Sequence, residues 1–404
     1  MGAVSPVAYA LPLVNRFRGI TVREGLLVRG PAGWGEWSPF AEYTRPEIDA
    51  WWRATWEAAN RGFPAPVRDR VPVNATVPAV DPETAYAIVA ASGCATAKVK
   101  VAEPGQAAAE DAARLEAVRD ALGPSGRLRI DTNGAWDVDT ALARLTELAQ
   151  FDLEYVEQPC ASVEELAELR RILARRGLNI LIAADESIRR SGDPERVVAL
   201  EAADIAVLKV QPLGGVRACL ELAERLGLPV VVSSALESSV GLAAGVALAA
   251  ALPELPYACG LNTATMFTMD VTSHPLVAVE GSIPVRRVEP TQPLPGNTAQ
   301  PLLESTAQRL PGSIAQPLLE STAQRLPGSI AQRSLGSTTE PLPESTTQPL
   351  PEEVALRPSR RAPSAVDPVE TTPTWQAGDA ATARWLARLG PLAEDLITEP
   401  GRPE

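Results

Sequence analysis

Histidine is almost missing from this 404-residue chain, and lysine is nearly as scarce. The one histidine, His274, leaves no partner for an imidazole-based triad, and standing before Pro275 it reads as a surface residue. Four cysteines, at 94, 160, 219 and 259, form no CxxC pair and no zinc-type spacing. They predict reduced, buried thiols in a reducing compartment, with Cys160 a small apolar filler. A net charge of −13 leaves no basic stripe to displace counterions from phosphates, so no nucleic-acid partner is expected. Long hydrophobic runs are also lacking: the longest, Val240–Leu252, is too short and too rich in Ala and Gly to span a bilayer. The N-terminus has no basic segment followed by an apolar core, and Pro6 stands where myristoylation needs Ser or Thr. A soluble, cytoplasmic protein with no membrane partner is the expectation; oligomeric state is left open.

What is present is uneven. Of 37 basic residues only three are lysine, at 98, 100 and 209, in a chain also rich in Ala, Pro and Gly. Arginine gives a surface the same solubility as lysine, but it does not accept protons near neutral pH. The surviving lysines are therefore candidates for chemistry before any motif is sought.

The first seventy residues mix short β-type runs (20–22, 26–28) with a Trp-rich helical stretch over 46–60. There Trp51, Trp52 and Trp56 have the spacing of core packing. From Val71 aliphatic runs recur at 71–77, 97–101, 128–130, 153–156, 180–183, 205–210, 230–233 and 257–259. Amphipathic helical patterns separate most of them, at 107–122, 139–148, 163–176, 193–200 and 215–226. Such alternation predicts βαβ units on a parallel sheet. Eight strands over roughly 200–250 residues favour a closed barrel over an open, doubly wound sheet. GPAGWGE near residue 30 lacks the spacing of a dinucleotide fingerprint.

Beyond residue 290 the composition shifts: 17 of the 38 prolines fall in 291–404, with many Ser, Thr and Gln. AQPLLESTAQRLPGSI at 299–314 recurs unchanged at 315–330. Identity that strict points to tandem duplication of the coding segment. Units broken by Pro and Gly do not suit a solenoid, so a disordered insertion is expected. Trp385, Leu389, Leu392 and Leu396 then fall at helical spacing, and this segment is expected to fold back onto the globular body. The predicted organisation is 1–70, a small α+β domain; 71–290, the barrel; 291–373, the insertion; and 374–404, a C-terminal helix and tail.

In a parallel barrel the reacting groups stand at the C-terminal ends of strands. Polar residues that interrupt or end the apolar runs are Lys98 and Lys100 (TAKVKV), Asp131 (RIDTNG), Glu157 (YVEQP), Asp185 (IAADES), Lys209 (AVLKVQP), and Ser233 with Ser234. From Lys100 the intervals are 31, 26, 28, 24 and 24 residues, each one βα unit, which predicts one common level in the barrel. One such acid alone would read as a helix cap or a loop charge. Three converging carboxylates need a cation, and oxygen-only ligation selects a hard divalent ion, Mg²⁺. Lys98 and Lys100, two apart, face the same side, so each disfavours charge on the other and Lys100 is suited to act as a base. Lys209, four strands on, is expected across the cavity. A carboxylate substrate held by the metal would lose its α-proton to the base.

KVK, DTNGAW, VEQP, ADES and LKVQPLGG, in this order and spacing, resemble the enolase superfamily in its muconate-lactonizing-enzyme subgroup. FRGITVREG, SSALESSVG and the short N-terminal part are similar to the o-succinylbenzoate synthase family of actinobacteria. The resemblance covers about residues 10–290. It implies a (β/α)₇β TIM-like barrel under a small α+β N-terminal capping domain. It further implies that Lys100 abstracts the proton with support from Lys98, and that Asp131, Glu157 and Asp185 bind Mg²⁺. Lys209 would stabilise the enediolate from the opposite face, and Ser233 and Ser234 would hold the substrate's succinyl end. The implied reaction is dehydration of 2-succinyl-6-hydroxy-2,4-cyclohexadiene-1-carboxylate to 2-succinylbenzoate in menaquinone biosynthesis.

N-succinylamino acid racemase or dipeptide epimerase chemistry would use the same lysines, and a non-catalytic interaction protein is a more distant alternative. Two features depart from the family. Asn262 and Ala264 stand where a Gly-rich turn is expected, and side chains there would narrow the pocket or alter substrate contacts. The Pro/Ser/Thr repeats have no counterpart in a compact C-terminus.

Overall fold

Alternating apolar residues build β1 (Val7–Phe17) and β2 (Ile20–Gly30), and β3 (Gly33–Trp37) completes a three-stranded antiparallel sheet in the computed structural model. The structure describes residues 6–190, 192–291 and 376–395. Helix α1 (Glu47–Trp56) continues into a π-type turn over Glu57–Arg61. It buries Trp51 and Trp52, as their spacing predicts.

After the short β4 (Arg70–Pro72) come β5 (Ala75–Val77), α2 (Pro82–Ser92), β6 (Thr96–Lys100), α3 (Ala108–Leu122) and β7 (Arg127–Asp131). Next are α4 (Val138–Leu148), β8 (Leu153–Glu157), α5 (Val163–Arg176) and β9 (Leu181–Ala184). The one-turn helices α6 (Glu186–Arg189) and α7 (Arg196–Ala199) precede β10 (Ile205–Leu208), α8 (Val216–Leu226), β11 (Val230–Val232) and α9 (Ser239–Ala251). Finally β12 (Ser282–Pro284) pairs antiparallel with β4, and α10 (Asp379–Asp395) ends the described chain. Local chemistry sets several boundaries. Asp81, Asp137 and Ser162 accept hydrogen bonds from the first-turn amides of α2, α4 and α5.

Strands β5 to β11 form one parallel sheet in chain order, which with its helices makes an α/β TIM-like fold. Isolated parallel bridges join Val73 to Cys259 and Ser233 to Gly260, so the 259–260 segment touches residues at both edges of that sheet. On the inner side, Tyr155, Ala183, Ile205, Val207 and Val231 form a small apolar cluster of their own. The strand period of two then places Glu157, Asp185, Lys209 and Ser233 directly beyond the inward residues 155, 183, 207 and 231.

Some boundaries differ from the sequence expectation. The runs 20–22 and 26–28 are one strand, and 71–77 is two, broken at Val73–Asn74, where the chain turns to meet Cys259. At 257–259 isolated bridges replace a strand. The helical pattern at 193–200 yields one turn, ended by Glu201 at a φ of 51°. The expected insertion at 291–373 lies, apart from Thr291, outside the described residues, as does Leu396. In α10 Trp385 and Leu389 are buried, and Trp385 meets Trp37 edge-on at 5.6 Å. No helix among the described residues is long and apolar enough to cross a membrane.

Two buried glutamates from the N-terminal segment cap helices of the parallel-sheet layer. Glu57 accepts from the amides of Val216 (2.6 Å) and Arg217 (3.3 Å) at the start of α8. Glu36 accepts from the amides of Ser238 and Gly241 at the start of α9, and from the hydroxyls of Tyr9 and Ser38. A carboxylate at a helix N-terminus satisfies amides that have no partner inside the helix. Replacing Glu36 with Ala orphans those donors in the interior, and the expected cost is about 3–5 kcal/mol. Denaturant unfolding of the variant beside the parent measures it; a loss under about 1 kcal/mol refutes the capping role.

Candidate active site

The polar residues foreseen at the strand ends converge. Lys100, Asp131 and Glu157 lie in register across β6, β7 and β8, whereas Glu157 is level with Ala183, so Asp185 stands two residues higher. The single level that equal spacing suggested is therefore a staggered one. Lys98 and Lys100 do face the same side, for both reach Asp131 Oδ2, at 3.1 and 2.6 Å. Lys98 also donates to both oxygens of Glu157 at 2.7 Å. Lys209 reaches Asp185 Oδ2 at 2.6 Å. All three lysines line one cavity of about 40 Å³, together with Phe17, Arg18, Thr76, Asn133, Thr263 and the 233–236 turn. It is wide enough for only a few water-sized groups.

Burial and charge oppose each other here. Asp131, Glu157 and Asp185 are at most 1% exposed. Burial pushes Glu157 up to about 7, with the negative charge of Asp131 adding to it. Asp131 and Asp185 are held below the usual carboxylate range despite their burial, the first by Lys100 and Lys98, the second by Arg189 and Lys209. Burial lowers Lys100, and the neighbouring Lys98 ammonium acts in the same direction. Lys98, pressed between Glu157 and Asp131, is raised although its burial works against charge.

Among the described residues no three metal-ligating side chains are gathered as a cluster, and the carboxylate oxygens face ammonium groups. The donor set nonetheless suits a hard divalent cation. It offers three buried carboxylates with no sulfur or imidazole among them, and their burial, with the charge of Asp131 adding to it, raises Glu157.

Residues outside the strand-end pattern complete the site. Asn133 accepts from Lys100 at 2.7 Å, and its own amide donates to Glu186. Arg189 donates to Asp185, Glu186 and the Tyr43 hydroxyl. DTNG carried a signal for Asn133; Arg189 carried none, being one of many arginines. Ser234 Oγ lies 2.7 Å from Thr263 Oγ1 and accepts from the Leu236 amide, while Ser233 is buried beside Gly260. Asn262 and Ala264 do not line the cavity, contrary to expectation: Asn262 turns away to accept from the Ala278 amide. His274 is exposed, and Cys160 is buried with its thiol pushed up to about 12, so neither adds chemistry.

Comparison with known proteins agrees with this architecture. The chain matches the enolase C-terminal domain-like family over residues 82–296 and the enolase N-terminal domain-like family over 8–59. It is 69% identical over 282 residues to o-succinylbenzoate synthase of Thermobifida fusca, an alignment covering 70% of this chain and 87% of that protein. To the o-succinylbenzoate synthase of Mycolicibacterium smegmatis it is 54% identical over 292 residues, covering 72% and 87%. Among solved structures, the L-Ala-D/L-Glu epimerase of Bacillus subtilis superposes with a TM-score of 0.60 at 22% identity, covering 70% of this chain and 96% of that one. Muconate cycloisomerase of Pseudomonas fluorescens gives 0.58 at 22%, covering 70% and 93%. At these identities the two structures speak for the fold alone.

A Cβ added at Gly260 would meet Ser233 Oγ at 2.6 Å, so the close approach of the 259–260 segment to Ser233 requires glycine. Gly260→Ala is expected to cost about 1–3 kcal/mol by overpacking and to displace Ser233 from the cavity wall. Thermal unfolding of the folded variant measures the first effect; a neutral result shows that the wall has slack.

Proposed function

The chain belongs to the enolase superfamily, and from that membership we propose that it dehydrates 2-succinyl-6-hydroxy-2,4-cyclohexadiene-1-carboxylate to 2-succinylbenzoate, the o-succinylbenzoate synthase reaction of menaquinone biosynthesis. It is thus an enzyme, a carbon–oxygen lyase acting on a small-molecule carboxylate. One observation carries the mechanism: the chain's only three lysines line a single cavity, with Asp131 between two of them and Asp185 against the third.

Residues 71–290 are a (β/α)₇β barrel in this reading, the bridges at Cys259 and Gly260 marking its eighth strand, and residues 1–70 are the cap. Asp131, Glu157 and Asp185 would hold Mg²⁺. Bound there, the ion would bind the substrate's ring carboxylate and offset the negative charge that develops on it.

The protein's own groups do the rest. Lys100, lowered by burial, takes the α-proton through its Nζ. Lys98 stays protonated between Asp131 and Glu157 and offsets part of their negative charge beside Lys100. Lys209, held by Asp185, presents its ammonium to the enediolate from the other side. The C–O bond on the adjacent carbon then breaks, and Lys100 returns its proton to the departing hydroxyl, so that water leaves and the ring becomes aromatic. Ser233 and Ser234 support the substrate's succinyl end.

Purified protein with Mg²⁺ is expected to form 2-succinylbenzoate, to stop on chelation and to resume on Mg²⁺ addition. Lys100→Ala and Lys209→Ala are each expected to lose about 10²–10⁴-fold in kcat. Racemisation of an N-succinylamino acid, with α-deuterium uptake in deuterated water and no dehydration, would overturn the assignment. The metal reading has its own test without turnover. Mg²⁺ is expected to raise the Tm of the parent but not of Asp185→Asn, and an equal rise in both contradicts the ligand set.

A further inference from the structure

The hairpin between β1 and β2 reverses over Arg18 and Gly19, whose φ angles are 48° and 77°. Two-residue turns with both φ values positive favour Asn, Asp or Gly at the first position. A long side chain seldom adopts that backbone conformation. Where it does, a functional constraint is the hypothesis to examine.

The turn points into the active site. Phe17 and Arg18 both line the cavity of the lysines, and Lys100 Nζ lies 5.7 Å from the Phe17 ring centroid. The Arg18 guanidinium lies 4.5 Å from the Phe40 ring centroid, and Arg23 lies 4.2 Å from the same ring. Arg23 is fully engaged, donating to the carbonyls of Ser38, Ala235 and Leu236. Arg18 is placed by the ring alone: among the described residues no hydrogen bond or ion pair holds it.

The substrate assigned above carries two carboxylates, one on the ring and one ending the succinyl chain. Lys98, Lys100, Lys209 and Arg189 are all committed to Asp131, Glu157 and Asp185. Of the cations lining the cavity, Arg18 is the one with no carboxylate partner among the described residues. We propose that Arg18 binds the terminal succinyl carboxylate and so selects succinyl-bearing substrates. The inference rests on the proposed dehydration and deepens it. A guanidinium fork matches a carboxylate, and seating it on Phe40 limits the rotamer freedom that binding must remove.

Titration calorimetry of the full-length, Mg²⁺-supplied protein tests it with two ligands. One is 2-succinylbenzoate; the other is 2-butyrylbenzoate, which has methyl in place of the terminal carboxylate. The parent is expected to prefer the first by about 10–100-fold, the range of a charge-assisted hydrogen bond. Arg18→Asn is expected to erase that preference while its Tm stays level or rises, because Asn suits the turn. Its KM for the diene rises by about the same factor, with kcat within about threefold. Arg18→Lys restores part of the preference.

Arg18→Asn that keeps the full preference overturns the proposal. So does a variant that weakens both ligands equally, since that marks a structural role for the turn. A parent that performs no dehydration overturns the reaction and this inference together. Intact dehydration with unaltered discrimination in the variant overturns this inference alone.

Discussion

Charge balance inside a closed space is the constraint on which this site depends. Asp131, Glu157 and Asp185 are buried where an unpaired carboxylate would be costly, and each has a cation against it. Neither set of charges would persist there without the other. Around the strand ends the lysines therefore flank the acids: Lys98 and Lys100 on β6, then Asp131 on β7, Glu157 on β8 and Asp185 after β9, then Lys209 after β10. That order also divides the chemistry. Glu157 remains near the pH at which it would protonate, whereas Asp131 and Asp185 stay ionised.

The N-terminal segment holds this arrangement from outside the parallel sheet. Arg23 grips the carbonyls of Ala235 and Leu236, and Glu36 caps α9 immediately after them. The turn so held contains Leu236 at a φ of 64°, an uncommon conformation for a branched residue. Glu237 folds back to accept from the Ala235 amide with both oxygens. The wall carrying Ser233 to Leu236 is therefore fixed by buried charge from β2 and β3 as much as by its own strand. From the other flank, α10 seats Trp385 on Trp37, and Arg388 donates to the carbonyls of Pro39, Phe40 and Tyr43.

The parts legible in sequence are those that repeat. The strand period of two and the βα spacing of 24 to 31 residues carried the carboxylates and lysines to one mouth, since every unit delivers its last inward residue there. What spacing did not carry is local and aperiodic. Asp185 stands a step above Glu157 because β9 ends at Ala184 and the chain turns straight into α6. Arg189 belongs to that single turn, and Phe17 and Arg18 to a hairpin tip far away in sequence. Asn262 looked like a pocket residue by position, but a nearby unpaired amide, that of Ala278, claimed its side chain. Such outcomes follow from which backbone group lacks a partner, and periodicity does not report that.

The scarcity of lysine acquires a geometric meaning from the two kinds of cation in the site. Lys98 places one ammonium 2.7 Å from both oxygens of Glu157 and 3.1 Å from Asp131, a pyramidal demand that a compact, rotatable three-donor group meets. Arg189 meets a flat demand: its nitrogens fan out to Asp185, Glu186 and Tyr43. An arginine at 98 would need to place a planar fork where two carboxylates converge on a point. A lysine at 189 would bring three donors from one point, where Arg189 serves its three acceptors from three separate nitrogens. The bias that turned 34 of 37 basic residues into arginine stopped where the required shape is a point, and at Lys100, where the required property is an amine that can lose its proton.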